Sequence, residues 1–140
     1  FVKLLSDRCM KKANEEGVIR TKLGRKCRFE MWEPKDFGIH TPETFENASA
    51  KYGRGNIKRA FTYKALNRLI QGSAADQTKQ ALLSCYELGY LPLLQIHDEL
   101  CFNVLKEDVN KIVKAMEACV KLNVPSVVDV ALGKNFGSAI

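Results

Sequence analysis

The chain has 140 residues, 46% of them hydrophobic, with a formal net charge of +6. That is ample apolar matter for a core, and no apolar run approaches the roughly 20 residues of a membrane-spanning helix. The charge is uneven: residues 1–70 hold 16 Lys and Arg against 8 Asp and Glu, whereas residues 71–140 hold 6 against 8, so the first half suits a polyanion and the second supplies an excess of acids.

Val2, Leu5, Cys9, Met10 and Ala13 recur at helical spacing, which predicts a helix over 2–16 with Gly17 as its C-cap. The pattern begins as if in mid-helix, without an initiating Met or a signal-peptide apolar stretch. An incomplete fragment of a larger domain is therefore expected. Val18 to Thr21 is strand-like and Lys22 to Arg25 a turn; Arg20, Lys22, Arg25, Lys26 and Arg28 crowd into nine residues, as a solvated turn or a phosphate contact. Residues 30–56 hold Pro34, Pro42, Gly38, Gly53 and Gly55 and are expected as an irregular insert, too long for an ordinary connection. Its Trp32 and Phe37 either pack the insert or stack on a base.

Residues 64–88 are predicted as one long helix closed by Gly89, with Ala65, Leu66, Leu69, Ile70, Ala74, Ala81, Leu82 and Cys85 able to face a core. Asn67, Gln71 and Thr78 fall near one line of that helix, and the small residues 72–75 admit a close neighbour. A hairpin over 91–104, a second amphipathic helix over 106–122 and an alternating strand over 127–132 follow. The fold class expected is α+β, an antiparallel sheet backed by helices, after a helical and irregular N-terminal part. The five Cys are scattered without a CxxC pair, and only His40 and His97 are present. That argues against zinc and suits a reducing compartment.

The segment Leu94 to Phe102 carries the chemistry. Apolar residues flank His97, Asp98 and Glu99, which reads as strand, tight turn, strand. Successive strand residues point to opposite faces, so Asp98, at the turn, is the better direct metal ligand and Glu99 its neighbour. Rigidly presented carboxylates on a basic protein suit magnesium, which takes one or two protein carboxylates together with phosphate oxygens and water. The bland alternative is a polar hairpin tip with Asp as turn former.

Gln71-Gly72-Ser73-Ala74-Ala75-Asp76, followed by Gln95-Ile96-His97-Asp98-Glu99-Leu100, resembles the C-terminal part of family A DNA polymerases, the bacterial polymerase I type. The stretches Glu16 to Lys26, Arg59 to Asn67 and Val124 to Phe136 agree in order and spacing, with Phe136 where the family has Trp. Tyr63 stands where the family has an Arg, with Lys64 next to it, and the 30–56 insert is closer to phage versions. The resemblance implies fingers-derived residues 1–60 and a palm portion at 61–140. It implies Asp98 and Glu99 as catalytic acids, with Asp98 as ligand to two Mg2+ ions. Lys64, Asn67, Gln71 and His97 become DNA-contacting residues. The amides of Asn67 and Gln71 suit the minor groove, whose acceptors are shared by all base pairs. Partners implied are primer–template DNA, a dNTP and the remainder of the polymerase, in the cytoplasm of a bacterial cell or phage-infected host. The family's first palm aspartate and its dNTP-binding helix have no counterpart in these 140 residues, so the chain alone is expected to be inactive. Two alternatives stand beside this: a non-catalytic nucleic-acid-binding module, and a metal-dependent nuclease or phosphatase using Asp98, Glu99 and Asp76.

Overall fold

The computed structural model describes residues 1–36 and 38–139. Phe37 lies outside the described residues. The chain divides into two compact units, Phe1–Ala74 and Ala75–Ile140, and each has its own core.

The first unit opens with α1 (Val2–Glu16). Its C-cap Gly17 takes the left-handed φ of 68° that ends a helix without a Cβ penalty, and its N–H donates to Ala13 O. A hairpin follows, β1 (Val18–Arg20) against β2 (Lys26–Arg28). The core joins them to the start of the long helix: Cys9, Ala13, Ile19, Phe29 and Ala65 are buried together, with Cys27, Phe61, Leu66 and Leu69 packed against them.

The insert is more ordered than its Pro and Gly content predicts. It forms β3 (Trp32–Pro34), α2 (Phe45–Tyr52) and β4 (Ile57–Arg59), and β3 pairs antiparallel with β4 from Trp32↔Arg59 to Pro34↔Ile57. Pro34 is tolerated because the nitrogen at this position points away from β4: Trp32, two residues before, turns its N–H to Glu43 O, and the next residue, Lys35, donates to Asn56 O. Thr44 caps α2 by accepting the Asn47 N–H, and Gly53 closes it. Trp32 packs edge-on against Phe45, with ring centroids 5.0 Å apart, so packing accounts for this aromatic.

A short 3-10 turn (Thr62–Lys64) leads into α3 (Ala65–Glu87), which runs through the boundary between the units. In the first unit Ala65 is buried and Leu66 and Leu69 are partly buried; in the second Thr78, Ala81 and Cys85 are buried. The single apolar stripe expected along the helix is not kept: Ile70 is 56% exposed and Ala74 is exposed, while Thr78 is covered rather than presented with Asn67 and Gln71. Each half of the helix answers to its own core.

In the second unit β5 (Leu94–Ile96) and β6 (Glu99–Cys101) make the expected hairpin, shorter than the 91–104 span suggests. A 3-10 turn (Lys106–Asp108) then feeds α4 (Val109–Ala118). The alternating stretch 127–132 is extended but pairs with no strand among the described residues. Alternation marks a chain able to lie on a sheet, yet a strand exists only when another backbone accepts its hydrogen bonds. The Val128 N–H is taken instead by the Glu117 carboxylate at 3.1 Å, and Val127 stays 76% exposed. The architecture is thus mixed helix with small antiparallel sheets, three two-stranded ladders among the described residues. No helix among the described residues is long and apolar enough to cross a membrane.

Candidate functional site

The β5–β6 ladder runs from Leu94↔Cys101 to Ile96↔Glu99, leaving His97 and Asp98 as a two-residue turn. So short a loop demands a positive φ at its first central position, normally given to Gly or Asn. Here His97 takes it, at φ 53°. A non-glycine residue there costs of order 1–3 kcal/mol and is held by its surroundings. The brace is local: Gln95 Nε2 donates to His97 O at 3.0 Å. The same short path fixes Asp98 immediately before the first rung of β6. His97, Asp98 and Glu99 are all exposed, so the acids face water rather than a core.

The donors at the tip fit a hard cation in kind, being carboxylate oxygens on consecutive, solvent-facing residues. Among the described residues no group of three or more His, Cys, Asp or Glu is arranged to hold a metal ion. The tip by itself therefore offers one or two carboxylate ligands and no complete metal shell. Asp76, the third acid of the nuclease alternative, is buried on α3 and joins no such group.

The expected DNA-contacting residues divide between the units. Asn67 and Gln71 are exposed on the first-unit part of α3, one helical turn apart. Lys64 is exposed in the 3-10 turn before it, with Nζ 5.2 Å from the Phe61 ring centre and 5.5 Å from that of Tyr63. The ammonium is thus flanked by two aromatic faces. His97 belongs to the second unit with Asp98 and Glu99.

Two arginines carry more structure than their place in the sequence announces. Arg59 lies over Trp32 at 4.6 Å and donates from NH1 to Phe29 O at 2.8 Å. Arg68 lies over Phe29 at 4.8 Å and donates to Arg28 O at 3.1 Å. Both pair with aromatics and carbonyls some 30 to 40 residues away, which no local spacing reveals. Gly72 does what the small-residue run foretells: a Cβ there would sit 3.1 Å from the Thr21 methyl and 3.7 Å from Arg25 Cδ.

With this geometry in hand, similarity to known proteins is informative. A family model described as DNA polymerase family A matches residues 2–138. The chain is 38% identical over 143 residues to a DNA-directed DNA polymerase of Pseudomonas phage M6, covering 100% of this chain and 18% of that protein. It is 37% identical over 94 residues to DNA polymerase I of Bacillus subtilis, covering 60% of this chain and 11% of that one. Its fold matches the POL domain of Pol1 from M. smegmatis, solved in complex with DNA primer-template and dNTP, with a TM-score of 0.70 at 27% identity over 99% of this chain and 23% of the other. The chain thus spans less than a fifth of the length of these two relatives.

Proposed function

Because this chain belongs to DNA polymerase family A, we propose that it works within a longer polymerase, carrying one metal-binding acid of a template-directed nucleotidyl-transfer centre and part of the surface that holds the duplex. The observation that carries the proposal is Asp98: an exposed carboxylate on the second residue of a two-residue turn, in a chain that the family model matches over residues 2–138.

The reaction is attack of a primer 3′-hydroxyl on the α-phosphate of a dNTP, with release of pyrophosphate. Asp98 would hold magnesium, with Glu99 beside it. Bound magnesium would neutralise charge on the phosphate oxygens and favour the attacking alkoxide. Everything else the chain contributes is positioning. A two-residue turn fixes the backbone of Asp98, so the carboxylate is presented from a set Cα before substrate arrives. Asn67 and Gln71 donate to minor-groove acceptors common to every base pair, which suits an enzyme that must accept any sequence. Lys64 contacts the duplex, and His97 meets the primer end. Residues 1–60 derive from the fingers and 61–140 from the palm.

The test is Asp98→Asn in a polymerase chain containing this sequence. Primer extension with magnesium and dNTPs should fall by about three orders of magnitude, equivalent to several kcal/mol of lost charge stabilisation. Affinity for a primer–template should stay within a few fold. Extension that survives the substitution would remove the catalytic role; nuclease release that is lost in its place would favour the hydrolytic alternative.

A further inference from the structure

Across the β1–β2 ladder Arg20 stands directly opposite Lys26. Directly opposed residues share a face of the sheet with Cβ atoms about 4.5–5.5 Å apart, and like charges in that relation are destabilising. The alternate pair, Ile19 and Cys27, takes the inner face: Ile19 is in the core, and the Cys27 thiol donates to Arg68 O at 3.8 Å. Arg20, Lys26 and Arg28 therefore occupy the outer face, and all three are exposed. Glu30 reaches Arg28 at 3.6 Å, but from Gly17 to Phe29 there is neither Asp nor Glu.

This face is stiffly carried. Ile19 anchors it from below, Arg68 ties the end of β2 through Arg28 O, and Gly72 lets the hairpin loop come against α3. Gly72 follows Gln71, so the cationic face belongs to the same unit as Asn67 and Gln71.

We propose that the outer face of β1–β2, with Arg20, Lys26 and Arg28, binds the sugar-phosphate backbone of nucleic acid. The ladder keeps a repulsive pair that a neutral residue at either place would relieve. A phosphate lying over the pair turns that repulsion into attraction. Lys26 and Arg28 are two residues apart on one face of the strand, about 7 Å along it. A row of that kind fits a repeating polyanion, whereas a single compact anion such as a triphosphate is bound by convergent donors. That the nucleic acid is a primer–template rests on the polymerase reading; the phosphate chemistry does not.

The measurement is a salt titration of primer–template binding by fluorescence anisotropy, with the Arg20→Gln/Lys26→Gln variant of a polymerase containing this sequence. Losing two phosphate contacts should make the plot of log K against log salt shallower by about 1.8, at about 0.9 per phosphate. At low salt Kd should rise at least about tenfold. Lys26→Arg should keep the parent slope. The KM for dNTP at saturating duplex should stay within about twofold, since the triphosphate does not use this face. An unchanged slope overturns the proposal. So does a rise in dNTP KM with duplex binding intact, which would assign the cations to the nucleotide. Lys26→Gln alone should raise the unfolding midpoint at low salt by relieving the cross-strand repulsion; a lowered midpoint overturns the premise. Because the titration needs no turnover, it holds or fails independently of Asp98→Asn.

Discussion

Two hairpins of the same build carry the opposite charges of this molecule. β1–β2 and β5–β6 each consist of two antiparallel three-residue strands. The first is cationic and buried beneath, with Ile19 in the core. The second bears His97, Asp98 and Glu99 at its tip, and beside it Leu91 and Leu93 are 61% and 63% exposed. Their turns differ as well. The first closes over residues 21–25, where Thr21 Oγ1 accepts the Arg25 N–H and Gly24, at φ 89°, donates to Thr21 O. The second closes in two residues with a strained histidine. The contrast separates two ways of holding a charged side chain. β1–β2 places its cations through tertiary packing and a self-satisfied loop. β5–β6 places Asp98 through the shortness of the covalent path from Ile96 to Glu99.

Core truncation gives the sharpest test of that contrast. Phe29 is 2% exposed, stacks with Arg68 and offers its carbonyl to Arg59. Phe29→Ala should cost about 3–5 kcal/mol, as large-to-small changes in cores do. Trp32 is the single tryptophan and lies in the same unit, so its fluorescence in a urea titration reads the loss. Leu94→Ala on β5, where half the side chain already meets water, should cost no more than about 1 kcal/mol by hydrogen exchange of the second hairpin. Equal costs would dissolve the distinction.

Gly17→Ala is the next largest. The φ of 68° disfavours any Cβ, and this one would sit 2.5 Å from Arg59 Cζ. The expected cost is about 1–3 kcal/mol, with the Arg59 bond to Phe29 O displaced. In an Arg59→Ala background the same change should cost less, a non-additivity that a double-mutant cycle detects; strict additivity would deny the packing.

At the other hairpin, His97→Asn tests backbone against contact. Asn tolerates the left-handed region, so hairpin protection should stay within about 0.5 kcal/mol of the parent, while primer extension falls severalfold because the imidazole is gone. Extension at the parent rate would reduce His97 to a turn residue.

Where one long period governs, the fold was readable from the residues alone. α1 and its Gly17 cap fall where spacing puts them, α3 does so in extent though not in the face it buries, and the β5–β6 hairpin forms inside the wider span expected. The insert was not readable, because α2 has 8 residues and β3 only three, ending in Pro. Windows so short contain no period to detect. Residues 127–132 failed for another reason: alternation describes a face, whereas a strand also needs a partner backbone. Asp98 was legible because polar residues between apolar runs specify a turn tip. Arg59 and Arg68 were not, since a cation over a ring depends on residues brought together only by folding.

The smallest effect expected is in the pH response of the second unit. Tyr90 OH and Lys111 Nζ both donate to Asp108 Oδ1, at 2.9 and 2.8 Å, fastening the segment after α3 to the start of α4. The Lys111 bond, and after it that of Tyr90, holds the Asp108 carboxyl below its ordinary value of 3.8. In turn the bond to Asp108 lifts Tyr90 above 10.0 and Lys111 above 10.5. A depressed acid contributes stability that is present above its unfolded value and lost as pH falls through the folded one. A raised tyrosine or lysine contributes stability that is present below its unfolded value and lost as pH rises through the folded one. The fastening should therefore act in full between about pH 4 and 10 and weaken on both sides. Asp108→Asn should flatten both limbs of the unfolding midpoint plotted against pH for this unit. Exposed ion pairs are screened, so the change should be small and should shrink further in high salt. An acid limb identical to the parent's would mean that Asp108 titrates in the folded chain as it does in the unfolded one, and that α4 is held by Ile112 and its apolar neighbours alone.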